Sequence, residues 1–247
     1  MNMGEFSFVT VRIRRGLTEI DQLLDLLEEH PGSWICGGYA RYCCSPHKKP
    51  LPPGDLDIYC GSMEVFDALK AVFEKDGLKI SNDNEMAITY EQPSIEDEHK
   101  PSDKYASHVP IQLIRPMEKG AVVTTGGLEH VLASFDFTVI RAALRPKPLT
   151  HDDYEGFVDA DFMHDESRRL LRLKNIHCPI SSTYRVIKYV RKGYWARPSE
   201  IIKLFIDWDG RDDAYRLRLL ELFSKSTEMG QLGKDEINEL EKLLRID

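Results

Sequence analysis

The stretch that decides the fold is WICGGYARYCCSPHKKPLPPGDLDIYC, residues 34–60. A short apolar run ends in Gly37 and Gly38, and YARYCC continues in a pattern typical of the first turns of a helix. A proline-rich loop then leads into DLDIYC, in which polar and apolar residues alternate as they do in a β-strand. The order predicts a strand, a glycine turn, a helix, a loop and a second strand. Asp55 and Asp57 would share one face of that second strand.

Asp55 and Asp57 are the first candidate site residues. Two carboxylates about 7 Å apart along a strand repel each other, and burying them without a partner costs free energy, so a cation is expected between them. Carboxylate oxygens suit a hard cation such as Mg²⁺ far better than zinc. A DxD pair is also common on ordinary surface strands, and this alternative stays open at the level of the motif alone.

Asp136 is the candidate for a third carboxylate. It lies in SFDFTVIRAAL, residues 134–144, which we predict to be a strand with Phe135, Phe137 and Val139 facing the core and Asp136 and Thr138 on the opposite face. Three carboxylates would complete a site for two Mg²⁺ ions, with Mn²⁺ as an alternative metal. Such a site clamps the attacking and leaving oxygens of a phosphoryl displacement.

Gly37 and Gly38 fit a complementary role in binding phosphate. Backbone N–H groups at a helix N-terminus bind phosphate oxygens, and glycine lets the backbone approach them closely. Most Gly-Gly pairs are simple turns. The order of the three motifs along the chain is what favours a phosphate-handling site.

The rest of the chain predicts an α+β fold. A helix is expected over residues 17–29, an amphipathic helix over 63–77, and short strands in LKIS, MAITYE and VPIQLIR. Residues 92–108 are polar and broken by proline, which predicts a loop insertion. We divide the chain into a head domain with a small mixed sheet and flanking helices, residues 1–150, and an all-helical neck and C-terminal domain, residues 151–247.

Charge and cysteine content narrow the class of protein. The net charge of −8 argues against nonspecific coating of nucleic acid, yet residues 168–198 carry nine Lys or Arg and no Asp or Glu. A basic segment on an acidic protein suggests a specific anionic ligand such as a triphosphate or an RNA end, the alternative being a solvated helix face. Five cysteines make no disulfide framework and no apolar run is long enough to span a membrane, so a cytoplasmic location without membrane partners is expected.

The three motifs together resemble the DNA-polymerase-β-type nucleotidyltransferase superfamily, specifically the head domain of bacterial-type poly(A) polymerases and class II CCA-adding enzymes. GGYAR (37–41), DLDIY (55–59) and DFTVIRA (136–142) match in order and with plausible spacing. PISSTYRVIKYVRKGY (179–194) is similar to the neck helix of that family. The resemblance covers roughly residues 31–195.

The resemblance implies a metal-dependent enzyme that moves a nucleoside monophosphate from an NTP, with ATP favoured, to an acceptor hydroxyl. An RNA 3′ end is the expected acceptor, and pyrophosphate is released. The implied site comprises the catalytic and metal-binding residues Asp55, Asp57 and Asp136 and the nucleotide-binding residues Gly37, Gly38, Arg41, Arg185 and Lys188. For Arg41, a structural ion pair within the domain is an equal alternative.

Several positions depart from the family pattern. Tyr42 stands where the family has an aspartate, Ser134 and Phe135 replace an arginine pair, and Ser182 replaces an acidic residue that helps to select the base. The resemblance therefore implies nucleotidyl-transfer chemistry without implying CCA addition. Two of the aromatic residues in the basic segment, Tyr194 and Trp195, are candidates for stacking on a base or an RNA end, whereas for Tyr189 packing in the core is favoured.

Other functions remain open at this stage. The first alternative is a catalytically silent nucleotide- or RNA-binding module on the same fold, and a related one is transfer to a protein or small-molecule hydroxyl. The second is an unrelated α+β interaction protein whose aspartates do not converge in space. The positions of the three aspartates test the last of these alternatives, because in an unrelated protein they should not converge.

Overall fold

A computed structural model of the chain describes residues 7–13, 20–91, 105, 109–119, 122–150, 153–176, 179–217 and 221. The helices are α1 Asp21–Glu29, α2 Gly37–Cys44, α3 Met63–Lys75, α4 Leu128–Ala133, α5 Phe162–Ser167, α6 Pro179–Arg191 and α7 Pro198–Asp209. The strands are β1 Phe8–Ile13, β2 Ser33–Cys36, β3 Leu56–Cys60, β4 Ile80–Asp83, β5 Ala87–Tyr90, β6 Ile111–Ile114, β7 Glu118–Lys119, β8 Val122–Val123, β9 Ala142–Thr150, β10 Asp153–Asp159, β11 Leu170–Leu171 and β12 Trp195–Ala196.

One mixed sheet organises the N-terminal part of the molecule. Its strand order is β1-β10-β9-β2-β3-β6-β5-β4. The β3–β6 pair is parallel and the other neighbouring pairs are antiparallel. The short pairs β7–β8 and β11–β12 lie outside this sheet. The α+β class with a mixed sheet and flanking helices is confirmed.

The core lies between the sheet and helices whose apolar residues recur at helical spacing. On α3, Phe66, Leu69 and Phe73 are fully buried, and the Ser62 side chain caps the helix by accepting a hydrogen bond from the Val65 N–H at 3.5 Å. On α1, the buried face consists of Leu23, Leu24, Leu26 and Leu27. These helices support the sheet beneath β3, the strand that carries Asp57.

The expected change to helix at residue 151 is wrong for residues 153–159. They form β10, which pairs with β1 on one side and β9 on the other, so this segment belongs to the large sheet. Gly156 makes the close approach possible, because a Cβ there would lie 2.6 Å from Cys44 Sγ. The division into domains at residue 150 stays a prediction, and the helical part that was expected begins no earlier than α5.

The strand predicted around Asp136 is also wrong. Residues 138–140 form a short 3₁₀ helix, and the strand β9 begins only at Ala142. The backbone of this segment pairs with residues 172–175 instead of with the sheet: the Thr138 N–H donates to Arg172 O, and Asp136 O accepts from the Lys174 N–H at 2.8 Å. Alternating faces therefore do not apply there, and Asp136, Phe137 and Thr138 are all buried.

Some predictions fall on residues outside the described ones. The loop insertion at residues 92–108 is described only at Tyr105, whose hydroxyl donates to Asp76 Oδ2 at 2.6 Å. The C-terminal residues 222–247 are likewise outside. Among the described residues, no helix is long and apolar enough to cross a membrane. Cys36, Cys43, Cys44 and Cys60 are free thiols, as expected from the sequence.

Candidate active site

One pocket of ≈540 Å³ lies where the N-terminus of α2, the start of β3 and one face of α6 meet. All the site residues predicted from the sequence line it: Gly37, Gly38, Arg41, Asp55, Asp57, Asp136, Arg185 and Lys188. The tertiary structure therefore brings together segments up to about 150 residues apart in the chain. An unrelated protein whose DxD motif lies on the surface by chance would not bring its aspartates into one pocket, so that alternative does not agree with this arrangement.

Asp57 occupies the floor of the pocket. It lies on β3 between Cys36 of β2 and Gln112 of β6. Burial and, to a smaller extent, the nearby Asp55 raise the pKa of Asp57, Lys188 and Arg185 lower it, and the result is a pKa of about 7. Among the described residues, neither Asp55 nor Asp57 accepts a side-chain hydrogen bond or forms an ion pair. The two carboxylates thus have no counter-charge in direct contact with them.

Gly37 and Gly38 lie directly beside this pair. A Cβ built on Gly37 would lie 3.5 Å from Asp57 Oδ2, and one built on Gly38 would lie 3.9 Å from Asp55 Oδ1. Gly37 has a φ of +70°, in the left-handed region that favours glycine. The N-terminus of α2, where backbone N–H groups have no partner within the helix, therefore lies next to the carboxylates.

Asp136 faces the same pocket but is held by α6. Its Oδ2 accepts hydrogen bonds from Ser182 Oγ at 2.9 Å and from an Arg185 N–H at 2.8 Å. The residue is 1% exposed, and its Oδ1 is buried without a hydrogen-bond partner. Oδ2 is thus occupied by Ser182 and Arg185, whereas Oδ1 is left without a hydrogen bond. The role of Asp136 as a third metal ligand stays a prediction.

Two cations on α6, and a third directly after its last residue, point into the pocket. Arg185, Lys188 and Lys192 recur at helical spacing and all line the pocket. Burial lowers the pKa of Lys192, and the neighbouring cations Lys188 and Arg41 lower it further. A helix face that gathers positive charge opposite Asp55 and Asp57 is suited to a ligand that is itself strongly negative.

Arg41 is part of a buried network. One of its terminal nitrogens donates to Glu166 Oε1 at 3.3 Å and to the Tyr194 hydroxyl at 3.1 Å, and the other donates to Leu51 O at 2.8 Å. The Tyr194 hydroxyl in turn donates to Glu166 Oε2 at 2.6 Å. The structure shows an ion pair for Arg41, but its partner Glu166 lies outside the predicted head domain of residues 1–150. Its direct contact with phosphate stays a prediction.

Three residues of the site and its support were missed in the sequence. Tyr59 lines the pocket and follows Asp55 and Asp57 at the period of a strand, so the alternation itself could have identified it. Gln112 also lines the pocket, and as the polar residue of the apolar IQLI strand it carried a weak signal. Glu166, which holds Arg41, carried none, because its burial depends on the packing of α5 against α2.

The donor set fits a hard divalent cation in part. Among the described residues, no group of three or more His, Cys, Asp or Glu side chains could hold a metal ion. The unpartnered pair Asp55 and Asp57, with the raised pKa of Asp57, nevertheless offers the oxygen ligands that Mg²⁺ takes. Mg²⁺ is commonly bound through one or two carboxylates plus the phosphates of a substrate. The two aspartates are therefore the residues of this chain that would hold the ion.

Comparison with solved structures identifies the fold. A tRNA-processing enzyme in an apo form superposes with a TM-score of 0.53 at 15% identity, over 96% of this chain and 59% of that one. The chain has the fold of the CCA-adding enzymes. The CCA-adding enzyme of Bacillus stearothermophilus, in complex with CTP, gives a TM-score of 0.53 at 16% identity over 86% of this chain and 47% of that one.

A third structure agrees with this fold. The Thermotoga maritima CCA-adding enzyme, complexed with a tRNA, gives a TM-score of 0.51 at 11% identity over 95% of this chain. This chain spans 47% to 59% of the length of these three structures. No protein-family model matches the sequence, and no curated protein does so either. The resemblance drawn from GGYAR, DLDIY and DFTVIRA is confirmed at the level of the fold.

Proposed function

We propose that this protein is a metal-dependent nucleotidyltransferase. It would move a nucleoside monophosphate from an NTP, with ATP favoured, to an acceptor hydroxyl at an RNA 3′ end, and release pyrophosphate. The observation that carries the proposal is the arrangement of charge in the pocket. The anionic pair Asp55 and Asp57 and the cationic face of α6 line one cavity, with the Gly37–Gly38 turn beside the carboxylates.

The proposed binding of the triphosphate uses the turn and α6 together. The N–H groups that follow Gly37 and Gly38 would donate to phosphate oxygens, because no side chain obstructs the approach there. Lys188 and Lys192 would neutralise the remaining negative charge from the opposite wall. Charge-assisted contacts of this kind are stronger than neutral hydrogen bonds, and they orient the nucleotide for in-line displacement.

Asp55 and Asp57 would hold Mg²⁺, or Mn²⁺ in its place. When bound, the metal supplies Lewis-acid stabilisation of the charge that develops on the phosphoryl oxygens. The carboxylates themselves must be deprotonated for this role, which ties activity to the raised pKa of Asp57.

The proposed role of Asp136 rests on its unpartnered oxygen. Ser182 and Arg185 fix the carboxylate through Oδ2, which leaves Oδ1 able to accept a hydrogen bond from the attacking hydroxyl. A positioned carboxylate can orient such a hydroxyl and take its proton as the bond to phosphorus forms.

A transfer assay tests the proposal. The purified protein is incubated with Mg²⁺, total RNA and each α-labelled NTP in turn, alongside Asp57→Asn, Asp136→Asn and the charge-matched control Asp25→Asn on the exposed face of α1. Wild type and the control are expected to label RNA 3′ ends. Asp57→Asn should lower the rate by about 10²–10³-fold, the size of losing one preorganised electrostatic group. Full activity of Asp57→Asn would contradict the assigned site.

A catalytically silent binding module is the second candidate function. It is favoured by one observation, namely that Asp136 is tied to Arg185 and that no three-carboxylate group exists among the described residues. Such a module would bind NTP with equal affinity in wild type and Asp136→Asn, and would transfer no label to RNA with Mg²⁺ or Mn²⁺. Label appearing in protein or in a small hydroxyl compound would instead identify another acceptor for the same chemistry.

A further inference from the structure

The surface around Trp195 carries features that the pocket chemistry does not use. Trp195 is a large aromatic residue and half of it is exposed, whereas the neighbouring Tyr194 and Tyr189 are buried in the core. Trp195 lies on β12, which pairs in parallel with β11, and its backbone N–H donates to the backbone oxygen of Arg169 at 2.9 Å. The ring therefore stands on a defined backbone and not on a free loop.

Three arginines lie next to the two short strands that hold this position. Arg168 and Arg169 lead into β11, and Arg197 follows β12. Among the described residues, none of these three guanidinium groups forms an ion pair or a side-chain hydrogen bond. The neighbouring carboxylates Glu166 and Glu200 are buried and are paired with Arg41 and Lys203, so they leave the arginines unneutralised. We call Arg168, Arg169, Trp195 and Arg197 the Trp195 patch.

Arg169 is placed by an unusual backbone conformation. Its φ of +51° lies in the left-handed region, which non-glycine residues rarely adopt. Its guanidinium lies over Gly193, where an added Cβ would be 3.1 Å from one terminal nitrogen. Conformations of this kind persist where the surrounding structure holds them, and they are enriched at functional surfaces.

The Trp195 patch continues from the pocket. Lys192 lines the pocket and is three residues from Trp195, and the Tyr194 N–H between them is held by Tyr189 O at 3.0 Å. A polyanion that crosses the patch would therefore reach the proposed site past another cation.

We propose that the Trp195 patch binds a single-stranded RNA segment of the acceptor. This inference rests on the proposed function for its choice of RNA. Trp195 stacks on one base and the arginines contact the phosphates on either side of it. Unpaired cations that flank an exposed indole along the chain match the alternation of base and phosphate in a single strand, whereas an acidic peptide would have no use for the ring.

Binding of a fluorescein-labelled, unstructured RNA 12-mer, followed by anisotropy without NTP, tests the proposal. Trp195→Ala should weaken binding at least about fivefold, since stacking on one base is worth about 1–3 kcal/mol, while Trp195→Phe should stay within about threefold of wild type. The double variant Arg168→Ser/Arg197→Ser should lower the slope of log affinity against log salt by about 1.4, at about 0.7 for each lost phosphate contact. Trp195→Ala should leave that slope unchanged.

Lys75→Ser, an exposed cation at the end of α3, is the control and should bind RNA as wild type does. RNA binding by Trp195→Ala within about twofold of wild type, or no RNA binding by wild type, would overturn the proposal. ATP binding is measured on the same preparations and should not change in any patch variant. Failure of the nucleotidyltransferase proposal would appear in that measurement and in the transfer assay, separately from RNA affinity at the patch.

Discussion

At the scale of single residues, Gly37 and Gly38 are adjacent but face different constraints. Gly37 has a φ of +70°, whereas Gly38 has ordinary helical geometry. Gly37→Ala is therefore expected to destabilise the fold by about 1–2 kcal/mol, the cost of a Cβ in the left-handed region. Gly38→Ala should leave stability equal or slightly higher, because alanine favours helices. Urea unfolding of the two variants measures the difference.

Each substitution places a Cβ beside the carboxylate of Asp57 or Asp55, so both variants should bind ATP more weakly than wild type. Gly38→Ala is the informative one, since its fold is expected to be intact. Wild-type ATP affinity in Gly38→Ala would show that the turn does not contact the nucleotide. Equal stability of the two variants would show that the left-handed conformation of Gly37 is not required.

At the scale of elements, the contact of α2 with α5 depends on the buried pair Arg41 and Glu166. Both side chains are at most 2% exposed, and Tyr194 and Ser45 donate to the same carboxylate. Glu166→Ala leaves the guanidinium buried without its counter-charge, so a loss of about 3–5 kcal/mol in the free energy of unfolding is expected. Glu74→Ala is the control, because its pair with Lys70 is exposed and should contribute less than about 1 kcal/mol. Similar losses in the two variants would contradict the role of the network.

The element α6 is expected to tune Asp57 across the pocket. Lys188 lowers the pKa of Asp57, against the larger effects of burial and Asp55. Lys188→Ser should therefore raise that pKa further and move the midpoint of Mg²⁺ binding to higher pH. Titration of the Asp57 carboxyl by ¹³C NMR, with Lys75→Ser as the control, measures the shift directly. An unchanged midpoint would mean that Lys188 does not act on Asp57.

At the scale of the whole molecule, Asp57 links stability to pH. Its folded pKa of about 7 lies above the ordinary value of 3.8, so the folded protein holds this proton more tightly than the unfolded chain does. The contribution of this proton to folding stability is fully present at pH values below 3.8, and it is lost as the pH rises through about 7. In the absence of divalent metal, Asp57→Asn should therefore melt at a higher temperature than wild type at about pH 8. This difference in melting temperature should shrink as the pH is lowered towards 3.8, the ordinary pKa of the carboxyl.

Added Mg²⁺ supplies the control for that experiment. At about pH 8, Mg²⁺ should raise the melting temperature of wild type, because the ion binds the ionised carboxylates of Asp55 and Asp57 in the folded state. It should have little effect on the melting temperature of Asp57→Asn. A melting difference between the two proteins that is independent of pH would contradict the raised pKa.

Much of the site could be predicted from the sequence because its parts are local. Gly37, Gly38, Asp55 and Asp57 lie within one strand–turn–helix–strand unit, so their faces follow from the periods of short elements. The segment around Asp136 could not be predicted in this way. Its alternating pattern resembles a strand, but pairing with residues 172–175 draws it out of the sheet. Hydrogen-bond partners distant in sequence outweighed the local propensity.

The sequence by itself determined the order of the motifs, the α+β class and the pairing of the glycine turn with the DxD strand, because each depends on side-chain type and short-range periodicity. Only the tertiary structure decided how the residues of the site are paired. Arg185 forms an ion pair with Asp136, and Glu166 forms one with Arg41. The strand β10 pairs within the large sheet, and Asp55 and Asp57 form no ion pair among the described residues. The physical reason is that burial and ion pairing are set by what packs nearby, and neighbours in space here are separated by up to 153 residues along the chain.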